Sequence, residues 1–242
     1  MHPLINSLLS RRTIRQYKPQ AIPSSDLEKI IACAQRAPSG GGLQTYTLVR
    51  ITDPAVRAQI AHLAGDQAQV SDAPEFFVVC ADVQRDKAMI AHRGGAPAEA
   101  SLMSTMYSLV DATLMAAFMV VAAEALGYGT CCVGGIQNAL GEIIRLLTLP
   151  QGVLPVMGVC IGMPDEEPAQ RPRMPMDVIV RENGYGQLTA EDMARCYAAQ
   201  AGAASDGDWY RVVNRYLGVG GVMERREEGV RQAIEQQGLW PH

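Results

Sequence analysis

The sequence predicts an α/β or α+β domain in which helices alternate with strands around one long apolar helix. Three observations predict it. Helical and extended patterns alternate from residue 4 to residue 161. Phe76 to Ala81 is a continuous apolar run, as expected of a strand covered on both faces. Ser101 to Leu126 is apolar almost all round and rich in Ala and Met, as expected of a helix buried on every side. With 242 residues, 48% of them hydrophobic, the chain is long enough to enclose one sizeable core.

Taken in order, Leu4, Ile5, Leu8 and Leu9 give a short apolar helical face, followed at once by Arg11, Arg12 and Arg15. Pro23-Ser24-Ser25-Asp26 opens a second helix. Ser25 and Glu28 have capping-box spacing, Leu27, Ile30, Ile31 and Ala34 share a face, and Pro38 ends it. After the glycine loop Ser39-Gly40-Gly41-Gly42, Gln44 to Ile51 is rich in strand formers. Asp53-Pro54 starts a helix with Val56, Ile60 and Leu63 in register and Gly65 at its close. Gln84 to Ala100 mixes charges with Gly94, Gly95 and Pro97 and reads as a mobile loop. In a chain of this length a partner subunit can supply part of the cover that helix 101–126 needs. Thr130 to Ile136 and Val153 to Ile161 are further strands, with a helix over Asn138 to Leu147 between them. Pro164 to Pro175 is a proline-rich connector, Asp177 to Arg181 adds a strand, and Thr189 caps a helix with support from Asp192. Beyond it lie a polar linker, Ala201 to Gly207, and a charged helix, Val222 to Gln237. The expected organisation is therefore residues 1–200 as one domain and 201–242 as a linker and C-terminal helical extension.

A net charge of −4 and a pI of about 5.6 argue against nucleic-acid binding, which ordinarily shows a basic face. Met1 to Ser10 has neither a charged leader nor a long apolar block, and Asp111 and Glu124 interrupt the longest apolar stretch. The expectation is a cytoplasmic protein that does not enter a membrane. Six cysteines form no C-x-x-C pair and, with four histidines, no zinc spacing. Of these, Cys131 and Cys132 are vicinal and are expected to be buried thiols, because no neighbouring residue in the sequence would lower their pKa. Neither a G-x-S-x-G elbow nor a G-x-G-x-x-G dinucleotide fingerprint is present.

Four segments have the composition of a ligand site. Ser10-Arg11-Arg12-Thr13-Ile14-Arg15-Gln16-Tyr17 gathers guanidiniums and a hydroxyl suited to a phosphate dianion. In Arg171-Pro172-Arg173 the proline limits the backbone entropy lost on gripping an anion. In Ser39-Gly40-Gly41-Gly42-Leu43-Gln44 the glycines let backbone approach a flat ligand. In Cys131-Cys132-Val133-Gly134-Gly135-Ile136 the glycine pair can aim an amide N–H. Singly, each is ordinarily a solvated basic face, a surface connector or a turn.

Their order along the chain is more specific. Ser-Arg-Arg-Thr-Ile-Arg-Gln-Tyr, Ala-Pro-Ser-Gly-Gly-Gly-Leu-Gln, Val-Gly-Gly-Ile and Gly-Val-Cys-Ile-Gly-Met-Pro…Arg-Pro-Arg-Met-Pro together resemble the FMN-dependent nitroreductase family. The resemblance covers roughly residues 4–200 and is nearest to the oxygen-insensitive major nitroreductase and flavin reductase P branch. It implies an α+β fold, a mixed sheet wrapped by helices, and an intertwined homodimer with a long central buried helix. It implies that Arg11, Arg12, Thr13, Arg171 and Arg173 hold the FMN phosphate and that Arg15 reaches the O2/N1 edge of the flavin. Gln67 and Gln69 match positions near the pyrimidine edge, and Gly135, next to Gly134, matches the residue whose N–H points at N5. Ser39, Gly40, Gly41 and Leu43 would come from the partner subunit. The implied activity is ping-pong: NADPH or NADH gives a hydride to flavin N5, and a nitroaromatic, quinone or free flavin then takes two electrons at the same place. No protein acid or base is required.

The chain also departs from that branch. Arg11 stands where a His is usual, Thr13 where a Ser is usual, and Gln69 where an aromatic is common. Ala199-Gln200-Ala201-Gly202 lacks the arginine often placed there for the NADPH 2′-phosphate. That absence motivates the alternative of a flavin-binding or storage protein without significant turnover. A plain interaction module built on a helical dimer explains helix 101–126 but not the separated arginine clusters.

Overall fold

The computed structural model describes residues 2–99 and 101–240. The chain forms two compact units: Met1–Pro168 with Glu228–His242, and Ala169–Glu227. The boundary expected after residue 200 falls inside the second of these.

In the first unit, α1 (Pro3–Ser10) and α2 (Ser24–Ala34) precede β1 (Tyr46–Arg50). Then come α3 (Pro54–Leu63), α4 (Ala68–Asp72), β2 (Glu75–Asp82), α5 (Gln84–His92), α6 (Leu102–Ala125), β3 (Gly129–Val133), α7 (Leu140–Leu146) and β4 (Val153–Gly162). The second unit holds α8 (Met176–Ile179), α9 (Ala190–Gln200) and α10 (Trp209–Leu217). In α11 (Val222–Gln236) the residues from Glu228 onward belong to the first unit.

The sheet has four strands in the order β1-β2-β4-β3, and its ladders are antiparallel. Mixed character enters through an isolated parallel bridge between Thr13 and Thr130. β2 is central and buried along its whole length, which accounts for its continuous apolar run. Side-chain alternation along β2 builds two cores. Phe76, Val78 and Cys80 face Ile60, Val70, Ile136 and Ile143 of α3, α4, the turn after β3, and α7. Phe77, Val79 and Ala81 face Ile30 of α2 and Met115, Met119 and Ala123 of α6. Ala233 and Leu239 complete the first core from the C-terminal segment. There the Thr105 hydroxyl donates to the Leu239 carbonyl (2.5 Å) and the Gly152 N–H to the Gln237 carbonyl (2.8 Å).

Several elements differ from the sequence expectation. Within a single chain α6 is covered on one side only. Thr105, Ser108, Ala112, Met115, Met119 and Ala123 are buried, while Met103, Met106, Tyr107, Val110 and Phe118 are exposed. The helix is long and apolar enough to cross a bilayer, yet its buried face packs on the sheet. The expected loop 84–100 begins as α5 because Asp82 caps it: one carboxylate oxygen accepts from the Gln84 (2.9 Å) and Arg85 (3.2 Å) N–H groups. Its last residue, Ala100, lies outside the described residues. No Ser25 capping box forms, since α2 starts at Ser24 behind an extended Pro23 and Ser25 is already in the first turn. Asp177 to Arg181, expected as a strand, holds the short helix α8. The Asp53 cap of α3 and the Thr189–Asp192 capping box of α9 form as expected.

Candidate active site

After α1 the chain runs extended past the sheet. The Ile14 N–H donates to the Thr130 carbonyl (3.0 Å), Lys18 N–H to Met163 (2.9 Å) and Asp165 N–H to Gln16 (3.0 Å). The buried Tyr17 hydroxyl donates to the Ile14 carbonyl (2.6 Å), and burial pushes its pKa far up. This pinned backbone fixes the origin of Arg11, Arg12 and Arg15. A groove of about 470 Å³ opens beside it, lined by Ser10, Arg11, Arg12, Glu124, Glu166 and Glu167 among others.

The groove is not simply cationic. Arg11 Nε lies 3.2 Å from Glu124 Oε1, and the Thr130 hydroxyl donates to that same oxygen at 2.5 Å. Burial raises the Glu124 pKa, opposed by the Thr130 hydrogen bond and the Arg11 charge. Arg12 Nη1 lies 2.8 Å from Glu167 Oε1, and a Glu166 oxygen accepts from the Arg15 and Gln16 N–H groups. Among the described residues Arg12 Nε is buried without a hydrogen-bond partner. A buried guanidinium N–H left over in this way is a donor suited to a phosphate oxygen, and the site fits an anionic cofactor tail on that ground.

The glycine loop is held from α6. Asp111 is buried, and its carboxylate accepts from the Gly40 N–H (2.9 Å), the Thr45 N–H (3.2 Å) and the Thr45 hydroxyl (2.8 Å). A Cβ at Gly40 would lie 2.2 Å from the Tyr107 ring, so only glycine fits against this helix. Gly41 and Gly42 have φ of +60° and +74°, which glycine adopts without strain. From α5, Arg85 donates to the Gln44 and Tyr46 carbonyls. Ser39 Oγ accepts from the Gln44 N–H (3.2 Å), and Leu43 is exposed at the loop's tip.

Gln67 and Gly135 come together. Gln67 Nε2 donates to the Ala64 carbonyl (2.9 Å), and a Cβ on Gly135 would lie 2.2 Å from that nitrogen and 2.3 Å from that carbonyl oxygen. Gln69, buried, donates to Gln67 Oε1 (2.5 Å) and so orients it. Gly134 is exposed and a Cβ there would meet nothing. Arg171 and Arg173 lie in the second unit, where Arg173 Nη1 donates to the Arg171 and Pro172 carbonyls (both 3.1 Å).

The vicinal cysteines divide. Burial raises the pKa of both thiols, but Cys131 faces the first core whereas Cys132 keeps an exposed surface, against the expectation that both are buried. Successive strand residues point to opposite faces, and β3 is an edge strand. Sequence reasoning missed the roles of Asp111, Glu124 and Arg85. The one signal was that two acids interrupt an otherwise apolar helix.

Comparison with known proteins identifies the family and the fold. The sequence model of the Nitroreductase family matches residues 8–163. The oxygen-insensitive NADPH nitroreductase of Salmonella typhimurium is 36% identical over 195 residues, 81% of this chain and 80% of the relative. The FMN reductase (NADPH) of Bacillus subtilis is 33% identical over 191 residues, 78% of this chain and 77% of the relative. Among solved structures, nitroreductase A from Vibrio parahaemolyticus superposes with a TM-score of 0.89 at 31% identity, covering 98% of each chain. The NADPH:FMN oxidoreductase from Vibrio harveyi complexed with NAD+ does so at 0.89 and 30%, again covering 98% of each chain.

Proposed function

The chain belongs to the nitroreductase family, and from that premise we propose how its residues serve flavin chemistry. The protein is an FMN-dependent NAD(P)H oxidoreductase, as its relatives' names indicate. FMN, when bound, would supply the redox chemistry between the nicotinamide donor and a nitroaromatic, quinone or free-flavin acceptor. The residues of this chain bind and tune it. Arg11, Arg12 and Thr13, with Arg171 and Arg173, hold the phosphate. Arg15 places positive charge at the pyrimidine edge, where charge grows on reduction. Gln67, oriented by Gln69, would hydrogen-bond that edge, and the Gly135 N–H would serve the N5 side of the ring. The observation that carries this reading is the leftover buried Arg12 Nε beside a groove already lined with arginines.

The active form is a homodimer. Asp111 and Glu124, which hold the glycine loop and Arg11 respectively, stand thirteen residues apart on α6. That is about 20 Å of helix, which separates the loop from the arginines within one chain. A second copy, docked on the exposed stripe Met103, Met106, Val110 and Phe118, brings its Ser39–Leu43 loop to the first copy's arginines. All six cysteines are free thiols, which accords with a reducing cytoplasm.

The test is the visible spectrum of the purified protein before and after anaerobic NADPH or NADH. Flavin absorption that bleaches supports the reading and identifies the donor. Flavin that stays oxidised with both nicotinamides points to storage, and protein that takes up no FMN refutes the site.

A further inference from the structure

We propose that Asp111 is a positioning residue of the flavin site, acting through the backbone of the Ser39–Thr45 loop. The inference rests on the reading that this loop packs against FMN.

The argument is an accounting of donors. The loop leaves the fold between α2 and β1 through the short 3-10 turn Gly40–Gly42, and five of the seven N–H groups from Ser39 to Thr45 have an acceptor in the loop or on Asp111. Gly40 and Thr45 donate to Asp111, Gly42 to the Ser39 carbonyl (3.1 Å), Leu43 to the Gly40 carbonyl (3.1 Å), and Gln44 to Ser39 Oγ (3.2 Å). Three donors are left among the described residues: the N–H groups of Ser39 and exposed Gly41, and the Ser39 hydroxyl hydrogen, whose oxygen is already used as an acceptor. Both ends of the loop are fixed to elements of the rigid core. Asp111 grips its donors from α6, and Arg85 grips its carbonyls at Gln44 and Tyr46 from α5. The loop therefore presents three preset donors, able to meet the carbonyl and nitrogen acceptors of a flavin edge without ordering on binding.

A carboxylate is the side chain this job needs. It is acceptor-only, and its two oxygens take three donors at once. Asparagine has the same shape but one acceptor oxygen, and its NH2 would face either the Gly40 N–H or the Thr45 pair. Tyr107, one helical turn before Asp111, closes the other side by lying where any Gly40 side chain would go. The position of Asp111 on α6, inside the second core and with 2% of its surface exposed, means its carboxylate is not a flavin or substrate contact itself.

The experiment compares the FMN-loaded protein with Asp111→Asn, Thr45→Val and Thr45→Ser. Readouts are FMN dissociation by fluorescence, the visible band of bound flavin, its midpoint potential, and amide exchange at Gly40 and Thr45 in flavin-free protein. The expected result for Asp111→Asn is FMN affinity weaker by about tenfold, the size of one lost charge-assisted bond. A shifted flavin band, a changed potential, faster exchange at both amides, and a kcat that falls more than KM rises accompany it. Thr45→Val moves the same readouts less, and Thr45→Ser, which keeps the hydroxyl, restores them. If Asp111→Asn folds with unchanged flavin band, potential and affinity and only melts earlier, its role is structural and the proposal is overturned. If it does not fold, the threonine pair decides: a Thr45→Val protein indistinguishable from wild type in flavin band and affinity overturns it equally. Wild-type protein that binds no FMN refutes the parent reading, and this one with it, before any variant is made.

Discussion

Gly135→Ala tests the contact between the two residues expected to face the flavin ring. The residue's φ lies outside the left-handed region, so the alanine backbone is tolerated and the cost is contact alone. The new Cβ would lie 2.2 Å from Gln67 Nε2 and 2.3 Å from the Ala64 carbonyl oxygen. The amide can swing away, but the carbonyl belongs to the backbone just after α3. Overpacking of this kind costs about 1–3 kcal/mol, and the Gln67–Ala64 hydrogen bond lost with it about 1 kcal/mol. The sum, about 2–4 kcal/mol, lowers the melting temperature by roughly 5–15 °C for a chain of this size. Gly134→Ala is the internal control, since a Cβ there meets nothing within 4 Å. Both variants are melted without flavin and then titrated with FMN. The expected outcome is a destabilised Gly135→Ala protein with weakened FMN affinity beside a near-silent Gly134→Ala. Equal melting temperatures for the two, or a Gly135→Ala protein that binds FMN as wild type does, would refute the packing argument.

Arg173→Ala is expected to weaken FMN binding by roughly tenfold to a hundredfold, the range of a charge-assisted bond to phosphate; unchanged affinity by fluorescence titration removes Arg173 from the site. Glu124 has its pKa raised by burial, so between the ordinary carboxylate range and that raised value the folded state holds a proton that the unfolded state has lost. Wild-type stability therefore falls as pH rises through that window, and Glu124→Gln removes this fall; parallel pH profiles of urea unfolding for the two proteins would contradict it. Leu239 is 1% exposed and closes the first core, so Leu239→Ala is expected to cost about 2–5 kcal/mol in urea unfolding, and a loss under 1 kcal/mol would mean that the C-terminal segment is not part of the cooperative unit. Glutamates at Met106 and Val110 on the exposed stripe of α6 are expected to give a monomer with weak FMN binding, and a dimer of wild-type size by light scattering would place the interface elsewhere.

What the sequence made legible was what its local pattern encodes. β2 was readable because the middle of a strand covered on both faces, Phe76 to Ala81, is apolar at every position, and α3 because Asp53-Pro54 is a cap that needs no tertiary partner. α5 was missed because its cap comes from Asp82, a residue that reads as the end of the preceding strand. The burial of α6 was overestimated because composition reports how apolar a helix is and not whose surface covers it. Asp111 and Glu124 were visible only as interruptions. Their partners, Gly40 at a separation of 71 residues and Arg11 on the strand-flanking segment, are brought to them by the sheet and leave no mark in the neighbouring sequence.

The arginine cluster shows the same limit in charge rather than in packing. Read along the chain, Arg11, Arg12 and Arg15 are a run of unopposed positive charge. In the fold, Glu124, Glu166 and Glu167 meet the side chains of the first two and the backbone of the third. The three acids are not equivalent. The Glu124 side chain is 10% exposed and fixed by Thr130, whereas that of Glu167 is 85% exposed and holds Arg12 through one contact. An exposed ion pair of that kind is worth about 1 kcal/mol or less, so a phosphate dianion that also reaches the buried Arg12 Nε displaces Glu167 at small cost. Glu124 stays, and orients Arg11 rather than competing for it. On the proposed reading the groove would bind its anion by exchange, one exposed carboxylate for one phosphate, with Arg11 and Arg12 paired to acids when the cofactor is away and only the exposed Arg15 guanidinium left to solvent.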